Sequence, residues 1–196
     1  MITRRHFVGS GLAAGASLAA PAFALANEPF KIDVKQAKEV EYKFQRQDVS
    51  YEANLPVGTI VVDSRKSWLF HVTAPGKATR YGVSLGKSAH AWSGVVTINK
   101  MAEWPIWIPA PYHIQVQPNL AKYLPAGMPG GPENPLGARA LYLYKGDVDT
   151  VNRIHGAAKP EDIGEKRTAG CIGMLNVDVI HLYATVQLGT KVLMLT

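Results

Sequence analysis

Arg153-Ile154-His155-Gly156, followed by Arg167-Thr168-Ala169-Gly170-Cys171-Ile172-Gly173-Met174, sets an imidazole sixteen residues before the only cysteine of the chain. Asn152 to His155 reads as a strand that ends at the imidazole. Gly156 on one side and Ala169-Gly170 on the other are small, so a substrate has room to approach both side chains. A lone cysteine is more often a small buried hydrophobe than a nucleophile. Here the pairing with an unencumbered histidine favours a nucleophile, Cys171, and its base, His155.

Outward from this pair the pattern is that of a β protein. Leu141 to Tyr144 precedes the histidine strand as another strand. Downstream, Asn176 reads as the cap of a helix with Asp178 in its first turn and Val177, Ile180, Tyr183 and Ala184 as its apolar stripe. Gly189 is expected to stop that helix, and Lys191 to Leu195 to close the sheet. Upstream, Thr59–Val62, Ser67–Val72, Ala78–Ser84 and Gly94–Lys100 are short β-rich runs separated by Gly and Pro turns. Together these predict a mainly β fold, mostly antiparallel, with one packed helix.

Residues 101–137 break the pattern, because they hold eight of the thirteen prolines. Prolines at this density forbid long regular elements, so at most Asn119 to Leu124 is expected to make a helical turn. Trp104, Trp107, Tyr112 and Tyr123 want burial, which argues for an ordered loop. A groove wall or lid and a structural arm padding the sheet are both compatible with it. Residues 27–56 read as a mixed-charge, surface-hugging lead-in with one strand, Glu39 to Gln45.

The first 26 residues stand outside the fold. Thr3-Arg4-Arg5-His6-Phe7-Val8 is a twin-arginine pattern, Val8 to Ala24 carries no charge, and Ala24-Leu25-Ala26 is a small-x-small cleavage site. The competing reading, a membrane anchor, fits poorly with a run rich in Gly, Ala and Ser, since a span needs about 20 strongly apolar residues. No later stretch is apolar enough to cross a membrane. The expected address is the periplasm, where an idle thiol tends to oxidise. The mature chain holds 19 basic and 15 acidic residues. That mild surplus has no basic run interleaved with aromatics, so nucleic acid is not an expected partner.

The chemistry of the pair sets further expectations. A free thiol ionises near pH 8.5, and a neighbouring imidazolium would stabilise the thiolate. Unit charges ~4 Å apart at an effective dielectric of 20 interact by roughly 4 kcal/mol. A helix N-terminus supplies only about 0.3–1 kcal/mol, so activation is assigned mainly to His155. The backbone N–H groups of Gly170 and Cys171 are natural donors to an oxyanion. The ring needs an acceptor on its other nitrogen, and the Gly156 carbonyl would serve. His155, Cys171 and His181 match no compact zinc spacing, so neither metal nor cofactor is expected. No Gly-x-Ser-x-Gly elbow suggests a serine hydrolase.

Over Val57 to Thr196 the chain resembles the L,D-transpeptidase (YkuD-type) catalytic domain family. Ile154-His155-Gly156 is similar to the family's His-Gly element, and Thr168-Ala169-Gly170-Cys171-Ile172 to its Ser/Thr-x-Gly-Cys-Ile/Val element. Gly131 to Leu141, with Arg139, resembles the segment before the histidine strand, and Trp92-Ser93-Gly94 the turn before the strand that carries Lys100. The resemblance implies a β-sandwich or barrel-like mixed sheet with one helix and the long Pro-rich loop. It implies attack by Cys171 on a peptidoglycan tetrapeptide stem before its terminal D-alanine. The acyl group would pass to an amine on a second stem, giving a 3–3 crosslink, or on an envelope protein. It implies that Thr168 takes the place of the family's hydroxyl residue; Arg139, Arg153, Trp92 and Tyr112 are the expected substrate contacts. Gly173 stands where the family commonly has Arg, Ala157 where many members have Thr, and Ala169 where many have Ser or His. Those departures leave two alternatives: a catalytically retired wall-binding module, and an L,D-carboxypeptidase or thiol amidase that uses water.

Overall fold

β-branched and aromatic runs bounded by turns become eleven strands of one mixed sheet in a computed structural model of the chain, which describes residues 25, 27–86, 94–168 and 170–195. Of residues 166–168 the backbone alone is described. The expected signal segment (Leu25 apart), Trp92 and Ala169 lie outside the described residues. Among the described residues no helix is long and apolar enough to cross a membrane.

The strands are β1 (Gln47–Ser50), β2 (Ile60–Asp63), β3 (Trp68–Ala74), β4 (Lys77–Gly82), β5 (Ser84–Gly86), β6 (Gly94–Glu103), β7 (Arg139–Lys145), β8 (Val148–His155), β9 (Lys166–Thr168), β10 (Ile172–Gly173) and β11 (Lys191–Leu195). Their order is β1-β4-β3-β2-β11-β6-β7-β8-β10-β5-β9. Three pairs are parallel: β11 with β2, β10 with β8, and β5 with β9. The mixed sheet of the expectation therefore holds.

Strands β4 and β5 sit far apart in that order, yet only Val83 separates them in sequence. One residue spans at most about 3.6 Å, so the sheet must fold over on itself. The core fills the fold. Ile60 and Val62 (β2), Leu69 (β3), Tyr81 (β4), Leu85 (β5), Ile98 (β6), Leu141 and Leu143 (β7), Ile154 (β8) and Ile172 (β10) are sealed together against Val179 and Leu182 of the Asn176–Tyr183 helix. A second cluster, Val61, Phe70 and Ala78, lies under Val49, Tyr51 and Leu55. The lead-in thus covers the outer face of the first strands.

Several boundaries differ from the sequence reading. The lead-in strand is Gln47–Ser50, made by pairing with β4, whereas Gln36–Glu39 and Tyr42–Phe44 are helical turns. The long arm holds a helix at Pro111–Val116 as well as the turn at Pro118–Tyr123. Pro111 starts that helix, a position where the missing N–H is no loss. The arm is pinned at its base by buried Asn134, whose Nδ2 donates to the carbonyls of Pro105, Met128 and Pro129 at 2.9–3.1 Å. The C-terminal helix buries Val179, Ile180 and Leu182 and ends at Tyr183, before Gly189. The Thr185 hydroxyl donates to the Leu182 carbonyl at 2.8 Å and closes its last turn.

Candidate functional site

Strands β8 and β10 run parallel with Ile172 beside Ile154 and Gly173 beside His155. Ile154, Ile172 and Met174 all point into the core. Side chains alternate along a strand, so Arg153, His155 and Cys171 share the opposite face. Extending the register by one residue sets Cys171 beside Arg153, two residues from His155. With strands about 4.8 Å apart and a rise of about 3.3 Å per residue, the Cys171 and His155 Cα atoms are about 8 Å apart on the diagonal. Both residues are partly buried.

The ring is held in one tautomer. His155 Nδ1 lies 2.7 Å from the Gly156 carbonyl oxygen. A carbonyl only accepts, so Nδ1 carries the hydrogen and Nε2 keeps its lone pair. Gly156 is required by space. A Cβ there would stand 2.2 Å from Asn176 Oδ1 and 3.2 Å from Val179 Cγ1.

Asn176 is the residue that sequence reasoning misassigned. Its side chain makes no helix cap. Oδ1 accepts from the Ala138 N–H at 2.9 Å and the Ala157 N–H at 3.1 Å, tying the turn after Gly137 to the turn after Gly156. Ala157 itself has φ +64, a left-handed conformation that this brace holds in place. Asn176→Ala leaves two partly buried donors without their acceptor, each worth about 1–3 kcal/mol. We expect a lower urea midpoint, together with a loss of turnover from the freed Gly156 carbonyl.

The electrostatics of the pair correct the expectation of a resting ion pair. Burial lowers the His155 pKa to about 4; the Gly156 carbonyl opposes that shift and the Arg153 charge adds to it. Burial raises the Cys171 thiol, against the backbone and guanidinium of Arg153, which both favour the thiolate. At neutral pH both groups are therefore uncharged, because desolvation disfavours each charged form.

The other expected residues separate into two sets. Gly170 is buried directly before the thiol, and the Cys171 carbonyl accepts from the Gly86 N–H at 3.1 Å, which fixes the turn. Thr168 contributes backbone to β9 beside Gly86, and Trp92 lies outside the described residues. Tyr112, half-exposed on the Pro111–Val116 helix, has its phenol pKa raised by burial and then by charge on Cys171, so the two groups are within electrostatic reach of one another. Behind it the His113 ring is 3.8 Å from Tyr112 and 5.0 Å from Trp107, centroid to centroid. These ring contacts hold the arm together internally. Arg153 lies on the thiol face, but its two terminal nitrogens are held by the Asp149 carboxylate at 2.6 and 2.8 Å.

Arg139 is a correction. Alternation puts it on the face of Leu141 and Ile154, opposite His155. It is buried over the Tyr183 ring and bound by both oxygens of Glu28. It anchors the lead-in and does not face the thiol. At Gly173, an added Cβ would meet only ordinary contacts, 3.5 Å from Ala158 and Ser84 Cβ atoms. Among the described residues no group of three or more His, Cys, Asp or Glu is arranged to hold a metal ion.

Comparison with known proteins gives a consistent set of relatives. A family model described as the L,D-transpeptidase catalytic domain (YkuD) matches residues 58–194. The probable L,D-transpeptidase ErfK/SrfK of Escherichia coli (strain K12) is 34% identical over 98 residues, covering 50% of this chain and 30% of that protein. The match thus spans under a third of that relative's length. The crystal structure of a probable carnitine operon oxidoreductase from Brucella melitensis is 42% identical, with a TM-score of 0.54, over 83% of this chain and 99% of that one. The L,D-transpeptidase from Mycobacterium smegmatis has a TM-score of 0.50 at 17% identity, over 70% of this chain and 58% of that one. At that identity the likeness is one of fold alone.

Proposed function

The chain belongs to the L,D-transpeptidase catalytic domain family, and from that premise we propose that it is a periplasmic cysteine transpeptidase acting on peptidoglycan tetrapeptide stems. The oxidoreductase name of the Brucella melitensis chain is not carried over, because the family model spans both Cys171 and His155. The observation that supports the reading best is the tautomer of His155, whose Nδ1–H donates to Gly156 and leaves Nε2 as the base on the face shared with Cys171.

In the proposed reaction the Cys171 sulfur attacks the carbonyl before the terminal D-alanine while its proton passes to His155 Nε2. The N–H groups of Gly170 and Cys171 receive the oxyanion. Collapse breaks the amide bond, and the departing D-alanine amine takes the proton from the imidazolium. An amine of a second stem or of an envelope protein then attacks the thioester, loses a proton to His155, and releases the thiol. Water in place of the amine gives a carboxypeptidase.

The test is incubation of the mature protein with a defined tetrapeptide stem, read by mass spectrometry of the products. D-alanine release with a crosslinked dimer is expected from wild type, and neither product from Cys171→Ala. Sacculus binding without any product in either protein would establish the retired binding module instead.

A further inference from the structure

Away from the thiol, a groove of about 540 Å³ opens between the β1-β4-β3 end of the sheet and the last turn of the Asn176–Tyr183 helix. It shares no lining residue with the Cys171 site. One wall is a single register row: His71 of β3 beside Thr79 of β4, and Thr79 beside Asp48 of β1. Leu69 and Tyr81, two residues along the same strands, are sealed in the core, so His71 and Thr79 share that inner face at its edge. His181 and Thr185 form the facing wall.

The row offers acceptors only. The Thr79 hydroxyl gives its hydrogen to Asp48 Oδ1 at 2.8 Å, so toward any other group it accepts. Thr185 gives its hydrogen to the Leu182 carbonyl, so it accepts from His71 Nδ1–H at 3.4 Å. His71 Nε2 therefore keeps its lone pair. That atom has no hydrogen-bond partner among the described residues, although the residue is only 5% exposed. Burial lowers the His71 pKa, so the ring is neutral at pH 7 and remains an acceptor. Buried acceptors without a donor are rare and ask for an explanation. Three acceptors on neighbouring strands about 4.8 Å apart suit the three N–H bonds of one primary ammonium lying over Thr79.

The groove also carries a cation. Lys77 lies on the same face of β4, two residues from Thr79 and beside Ser50 of β1. It is exposed and makes no salt bridge among the described residues, with Asp48 or any other carboxylate. Arg46, the cation just before β1, is held by Asp178 at 3.2 Å. A bare metal ion fits poorly, because Asp48 is the one carboxylate on the lining and an ammonium stands in the same space. Two residues along a strand set the Lys77 column about 7 Å from the Thr79 column, a gap that the flexible lysine side chain shortens. The match is a small molecule with an ammonium and a carboxylate a few ångströms apart.

We propose that this groove binds a free α-amino acid, its ammonium held by Asp48, Thr79 and His71 and its carboxylate by Lys77. The site is independent of the transpeptidase reading and stands or falls without it.

An NMR titration of the folded protein with D-alanine and with L-alanine tests it, read at the backbone amides of His71, Lys77 and Thr79. Saturable shifts on these strands and at the end of the helix are expected. Propionate lacks the ammonium and ethylamine lacks the carboxylate, so each is expected to bind about 10-fold or more weakly, the effect of losing one charge-assisted contact. Asp48→Asn and Lys77→Ala, both at exposed positions, are expected to weaken the amino acid by a similar factor. Propionate or ethylamine binding as tightly as alanine would overturn the proposal. So would affinity unchanged in both variants, or alanine shifts absent from the groove and gathered around Cys171 and His155.

Discussion

Replacing His155 by alanine is expected to slow acylation of Cys171 by about 10²–10⁴-fold, the range for loss of a positioned general base. The mechanism follows from the neutral resting pair. A preformed thiolate would react without help at the moment of attack. A buried thiol raised above its ordinary pKa must instead hand its proton over as the bond forms. Two measurements separate these cases. Iodoacetamide, which needs thiolate, should alkylate Cys171 slowly at pH 7 and faster only in the alkaline range; a rate already flat from pH 6 would indicate an ion pair. The acylation rate itself should hold between pH 7 and 5.5, since His155 keeps its lone pair until the pH approaches about 4. An ordinary histidine would already be mostly protonated at pH 5.5.

The largest effect on stability is expected at Arg139. Its side chain and that of Glu28 are 7% and 4% exposed, so neither charge has water to fall back on. Glu28 also accepts from Trp104 Nε1 at 2.7 Å, and Phe30 packs edge-on against the same indole. Arg139→Ala leaves the Glu28 carboxylate buried and unpaired, a change of about 3–5 kcal/mol. The reverse change is expected to be milder. In Glu28→Ala the guanidinium keeps Glu103, 3.7 Å away, and the Tyr183 ring, 5.2 Å from Cζ. Urea unfolding of both variants checks the asymmetry. Equal losses would show that the pair is more solvated than its burial implies. The contact also makes Glu28 an integral part of the fold.

The reading of positions 155 and 171 rests on adjacent residues, a histidine before glycine and a cysteine after glycine, and the register sets the two on one face of neighbouring strands. The strands were legible from β-branched runs. What was missed depended on partners distant in sequence. Asn176 looks like a helix cap, because asparagine before a helical run normally is one, but its acceptor serves N–H groups 19 and 38 residues away. A bulge in β6 leaves no local signature, since it exists only as a shift in the register with β7 between Ile98 and Lys100. The strand at Gln47–Ser50 is likewise made by pairing with β4, not by propensity. Arg139 could have been placed. In Arg139-Ala140-Leu141-Tyr142-Leu143 the leucines mark the core face, and Arg139 falls in their phase. Pro111 was read as a breaker when it stood at a helix start.

The central claim is that the sulfur at position 171 carries the acyl group. Intact-mass measurement of the mature protein, quenched in acid during turnover of a tetrapeptide stem and then mapped by peptide digestion, addresses it directly. The account predicts one adduct with the mass of the stem lacking its terminal D-alanine, on the peptide containing Cys171 and absent from Cys171→Ser as a thioester. Product formation with no adduct at Cys171, or an adduct on any other residue, would contradict it.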